Sequence, residues 1–107
     1  MSESPLKTYD ALVAKCSRFD RKGKTVPHTS ANGYMFSLLN KADELGIRFS
    51  KDVQEKYLEE YGTALYKSHN AVMKGYILIS DEMLQDLDNV VKLLDESYDY
   101  VMSLKAK

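Results

Sequence analysis

Three groupings of side chains in this sequence have the right types and spacing to do chemistry. The first is Gly23-Lys24-Thr25, inside KGKTVPHTSANGYMFSLL at residues 22–39. It has the ending of a phosphate-gripping loop. Such a loop needs G-x-x-x-x-G-K-[ST] between a strand and a helix, so that successive backbone N–H groups cradle the phosphates. The place of the first glycine is taken by Arg18, the segment before it is helical in pattern, and Pro27 follows. The tripeptide is therefore not read as a P-loop. The second grouping is Lys15, Arg18, Arg21, Lys22 and Lys24, five cations opposed only by Asp20. Cations at that density can neutralise nucleic-acid phosphates. They equally suit a solvated helix C-terminus, where the dipole favours positive charge. No recognition helix or aromatic platform accompanies them. The third grouping centres on Arg48, whose planar fork can hold a carboxylate or phosphate bidentately. Strand alternation places Arg48 in a row with Met35 and Ser30, next to a row of His28, Ser37 and Gly46. Ser30, Ser37 and His28 would be extra donors, and Gly46 would leave room for a ligand. Lys74, in KGYILI, adds a cation on a strand whose place in the sheet the pattern leaves open.

The remaining reactive residues have plainer readings. His28 and Ser30 stand close in HTS, but a hydrolase also needs an oriented base and an oxyanion site, and nothing nearby supplies them. The two histidines and one cysteine have no metal-ligand spacing, so no metal and no cofactor is expected. Asp86 with Asp88, and Asp95 with Asp99, read as helix surface or caps. Met35, Met73, Met83 and Met102 read as core filler, Cys16 as a small core side chain, and His69 as loop. No catalytic residue is assigned, and the chain is expected not to be an enzyme.

The totals bound the rest. The chain has 107 residues, the size of one domain, with 44% hydrophobic and 29% charged residues, which is ordinary globular composition. Net charge is −1, so nothing global draws it to nucleic acid or membrane. The halves differ in sign: residues 1–50 carry eight Lys/Arg and five Asp/Glu, residues 51–107 seven and eleven. One cysteine permits no internal disulfide, and no apolar run approaches a membrane span or a signal h-region. A cytoplasmic chain is expected.

These side chains must be positioned by a small set of elements. Ser4-Pro5 reads as a helix start, and Leu6, Tyr9, Leu12, Val13 and Cys16 share one face of the helix that follows. Asn32-Gly33 is a type I′ hairpin signal, joining strands 24–31 and 34–40, with Pro27 placing the first strand at an edge. A third strand spans 44–49. If the second turn is Lys41-Ala42, then Tyr34, Phe36, Leu38, Leu45, Ile47 and Phe49 all fall on one face, which must be the core. Ser50 caps a helix that Gly62 stops. Strands at 63–67 and 72–79 follow, with Tyr76, Ile77, Leu78 and Ile79 reading as covered on both faces. A last helix runs from Asp81 with a stripe of Leu87, Val90, Val91, Leu94, Tyr98, Val101 and Met102. The order α-β-β-β-α-β-β-α predicts an α+β domain, with N-terminal, middle and C-terminal helices packed on an antiparallel sheet.

The stretches RKGKTVPHTSANGYMFSLL, LGIRFS, VMKGYILI and SYDYVMSLK resemble the small TfoX-like proteins, and hence the N-terminal domain of the TfoX competence regulators. The resemblance runs from about residue 9 to 105 and makes 1–107 a single TfoX N-terminal-like domain, without the second, helical domain of the full regulators. It implies an α+β fold and no catalytic residues. The expected function is therefore a non-catalytic, regulatory binding domain. It would take a protein partner or a small anionic ligand at Arg48, Ser30, His28, Ser37 and Lys74. The last helix or a second copy in a homodimer would cover that face. The rival expectation is nucleic-acid binding through the basic cluster at 15–24.

Overall fold

A computed structural model describes residues 5–23, 26–68 and 70–106. The element order is α1 (Pro5–Ala14), β1 (His28–Ala31), β2 (Tyr34–Leu39), β3 (Leu45–Arg48), α2 (Lys51–Glu60), β4 (Leu65–Ser68), β5 (Ala71–Ile79), α3 (Asp81–Leu84) and α4 (Leu87–Ser103). The expected α+β class holds. The strands form one antiparallel sheet in the order β1-β2-β3-β5-β4, so β1, bearing Pro27 before it, is an edge and the KGYILI strand is internal. The Ser4 cap, Lys24, Thr25 and His69 lie outside the described residues.

Local chemistry explains the boundaries. Ser50 Oγ accepts from the Val53 N–H and starts α2. The helix ends in a Schellman motif: Gly62 N–H donates to the Glu59 carbonyl and Thr63 N–H to that of Leu58. The expected last helix is two helices. Ser80 caps α3, and Asp86 then accepts from the Asn89 N–H and begins α4 afresh. That second cap, inside what reads as one helical pattern, makes the break.

The sheet register departs from simple alternation at two places, and both matter for the site. The β2–β3 turn is longer than Lys41-Ala42. Asn40 Oδ1 accepts from the Ala42 and Glu44 N–H groups, Asn40 pairs with Glu44, and Asp43 is left-handed at φ 62°. The pairs therefore become Ser37 with Ile47, Leu38 with Gly46 and Leu39 with Leu45. One strand earlier, Ser30 faces Met35 while Thr29 faces Ser37, so Phe36 is an extra residue, a β-bulge. The bulge lets consecutive Phe36 and Ser37 both serve the helix-covered face. Tyr34, Phe36, Leu45, Ile47 and Phe49 keep their predicted place against the main core, which also takes Tyr9, Leu12, Ile77, Val90 and Leu94. Leu38 crosses to the other face, into a second cluster with Tyr66 and Tyr76.

The α4 stripe is corrected in the same way. Met102 is exposed, and Ser97 is the fully buried position between Leu94 and Val101. Ser97 Oγ donates to the carbonyls of Phe36, at the bulge, and Arg48, at the end of β3.

Candidate functional site

The five anion-site residues are not brought together as a set. Ser37 is completely buried on the helix side, hydrogen-bonded to Tyr9 (2.6 Å) and Thr29. The bulge put it there, so it cannot be a donor to a ligand on the opposite face. His28 faces Leu38 and holds the Val26 carbonyl through Nδ1 at 2.9 Å. Ser30 faces Met35 near the hairpin end of the edge strand. Gly46 does not leave a vacancy: the Tyr66 ring lies on it so closely that a Cβ would stand 2.4 Å from the ring. Tyr66 is anchored there by its hydroxyl, which donates to the carbonyls of Leu38 and Glu44.

Arg48 and Lys74 do line one cleft. β5 is interrupted between its two pairings: Leu65 faces Ile77, but Lys67 faces Val72, so β4 advances two residues while β5 advances five. Gly75, at φ 86°, makes this bend possible, and a Cβ there would sit 2.9 Å from the Phe49 carbonyl. Phe49 N–H still reaches the Gly75 carbonyl at 2.8 Å, so the kink is pinned to β3. The excess of β5 opens a cleft of about 470 Å³ between the start of α2, the β4–β5 hairpin and Tyr100 of α4. Its cations are Arg48, Lys51 and Lys74, and among the described residues no Asp or Glu lines it. The positive end of the α2 dipole adjoins the same cleft, since Phe49 and Lys51 both line it.

Arg48 is the distinctive member. Its guanidinium carbon lies 5.5 Å from the Tyr34 ring centroid and 5.8 Å from that of Tyr100. It is half-buried, and among the described residues it has no carboxylate partner. Tyr34 is held in turn by its hydroxyl, which donates to the Lys105 carbonyl at 2.6 Å. A guanidinium near two rings gains cation–π attraction and keeps N–H donors that can take a bidentate acceptor. Lys51 and Gly75 are the residues that the sequence reading missed. Lys51 could have been noticed as the first residue of a helix beginning three positions after Arg48. The Gly75 kink has no sequence signal beyond the glycine itself.

The basic cluster is treated differently by the fold. Arg18 bridges Asp99 (2.7 Å) and Asp95 (3.3 Å) and lies 4.5 Å over the Tyr98 ring. Arg21 pairs with Asp10, and its fork also reaches the Gly23 carbonyl. Lys15 stands 3.9 Å from Asp88. Lys22 is exposed and bridges by its backbone to His28. Three of the five cations are thus turned toward the protein's own carboxylates. Cys16 is buried, and burial, with Asp95 nearby, pushes its thiol up to about 11, the opposite of what a nucleophile needs.

Among the described residues no cluster of metal-ligating side chains occurs, and no helix is long and apolar enough to cross a membrane. Compared with family models and with curated proteins, the chain matches none.

Proposed function

We propose that this chain is a binding domain, on a scaffold resembling the TfoX N-terminal domain, that takes a small anion in the cleft of Arg48, Lys51 and Lys74. One observation carries the reading: a half-buried arginine near two tyrosines shares a cleft with two lysines, and no carboxylate among the described residues lines it. A half-buried arginine with two exposed lysines in one concave site suits a carboxylate or phosphate. Function is by occupancy rather than turnover, in a regulatory role, in a reducing cytoplasm that suits the single buried thiol. An acidic side chain of a protein partner would satisfy the same cations. The nucleic-acid reading draws less support, since Lys15, Arg18 and Arg21 are engaged by Asp88, Asp95, Asp99 and Asp10.

The test is a backbone-amide NMR titration with inorganic phosphate and with acetate, against chloride at matched ionic strength. Millimolar phosphate or acetate is expected to shift residues 48–51, 54, 65, 72–75 and 100. Arg48→Gln, which keeps an extended polar stem, should remove those shifts and leave the folded spectrum intact. Shifts confined to 28–30, or none beyond the chloride control, would defeat the proposal.

A further inference from the structure

The Arg48 cleft has a second chemical character besides charge. Leu65 is 47% and Val72 53% exposed, and these are two of the four large hydrophobic side chains left exposed among the described residues. Both line this cleft. Leu65 enters it from β4, where it faces Ile77, and Val72 from β5, where it faces Lys67. Tyr100 contributes an aromatic surface. Scattered exposed hydrophobes need no explanation, but two lining one cleft with three cations do.

Resting on the anion-binding reading above, we infer that the ligand is amphipathic: a carboxylate or phosphate head on an aliphatic tail, taken from solution as a free molecule. The head lies against Arg48, Lys51 and Lys74. The tail lies over Leu65 and Val72, removing their surface from water. An anion with an aliphatic tail engages both kinds of wall. A bare phosphate or a short dicarboxylate would leave the apolar wall wet. A cleft of about 470 Å³ is within the usual range for a small-molecule site and has room for a tail.

The experiment is a titration with straight-chain carboxylates: butanoate, hexanoate, octanoate and decanoate, each kept monomeric. Affinity is expected to rise about two- to fourfold per methylene until the tail outgrows the cleft, as partial to full burial of each methylene requires. The double variant Leu65→Ser with Val72→Ser changes only exposed side chains. It should flatten that rise along the series. Equal affinity along the series, or a rise that survives in the double variant, overturns the amphipathic assignment while leaving anion binding in place. Silence toward butanoate and phosphate alike brings down the anion reading itself. A parallel arm uses vesicles of phosphatidylcholine and phosphatidylglycerol. The protein is expected to stay in the supernatant, and co-sedimentation would move the chemistry to a membrane surface and overturn the free-ligand assignment.

Discussion

A single missing side chain decides how the uncovered side of the sheet is closed. Gly46 sits on β3 where the Tyr66 ring must lie, and the ring stacks on Tyr76 at 5.9 Å between centroids. Tyr66 and Tyr76 are 1% and 4% exposed, although the helices pack on the other face. They are buried by each other, by Leu38 and by partly buried Val26, Met35 and Met73. Gly46→Ala would drive a methyl into the ring of Tyr66, whose hydroxyl is tied to two carbonyls and cannot easily yield. The expected loss is about 1–3 kcal/mol, as for other overpacked cores, read as a lower urea midpoint. An unchanged midpoint would mean that Tyr66 moves freely. The same residue also shows why a small side chain beside an arginine is a poor guide to a ligand site: the space it makes was already taken.

At the scale of elements, the Asn32-Gly33 turn does more than reverse the chain. Asn32 and Gly33 adopt φ of 57° and 85°, the pair a type I′ turn demands. The Asn32 side-chain amide then donates to the carbonyls of Val101 (2.9 Å) and Leu104 (2.8 Å), closing the C-terminal end of α4. The hairpin tip and the last helix are thereby one unit, and Tyr34 and Tyr100, the two rings about Arg48, belong to its two halves. Asn32→Gly keeps the turn geometry and deletes only the two bonds, so it should cost roughly 1–2 kcal/mol. It should also speed hydrogen exchange of the amides at 101–106. Asn32→Val with Gly33→Val adds backbone strain and should cost more, on the order of 3 kcal/mol. Equal stability of Asn32→Gly and the parent would show that the side-chain clamp contributes nothing.

For the whole molecule, the opposite charges of the two halves are spent on each other. The N-terminal excess of cations faces the C-terminal excess of acids through Lys15–Asp88 and Arg18–Asp95/Asp99, on the outer surface of α4. Exposed pairs of this kind stabilise little individually, and their effect here is to quiet a surface that reads as basic in the sequence. Burial sets a second global property. It pushes the Tyr9 phenol up to about 12, and raises Tyr57, Tyr66 and Tyr76 further; for Tyr57 the neighbouring Glu96 carboxylate adds to the effect. The unfolded chain sheds these protons near pH 10, whereas the folded chain retains them. Their stabilisation is therefore complete below about pH 10 and is lost as pH rises through the folded values. A phenolate absorbance titration should find fewer than the chain's eight tyrosines ionised at about pH 11, the rest appearing together with cooperative unfolding. Eight independent ionisations near pH 10 would contradict the burial described.

Local signals were sufficient for most elements. Asn32-Gly33, Ser50, Gly62, Pro27 and the alternation of Leu45, Ile47 and Phe49 act through backbone preference and side-chain period, and each did what its chemistry requires. From the sequence alone Arg48 was a candidate anion site and Lys74 a companion without a place. Three decisions were left to tertiary structure. The bulge at Phe36 moved Ser37 inward and Leu38 outward, because Ser97 and Tyr9, distant in sequence, stand ready to satisfy the displaced polar groups. The pairing of β5 between β3 and β4 brought Lys74 to Arg48, a matter of strand order that no local pattern encodes. The basic cluster met its carboxylates only when α4 folded beside it. Propensity, capping and turn chemistry are properties of neighbours along the chain, and so they are legible there. Register shifts, sheet order and charge pairing depend on which distant groups compete for the same hydrogen bonds and space, and only the assembled fold settles that competition.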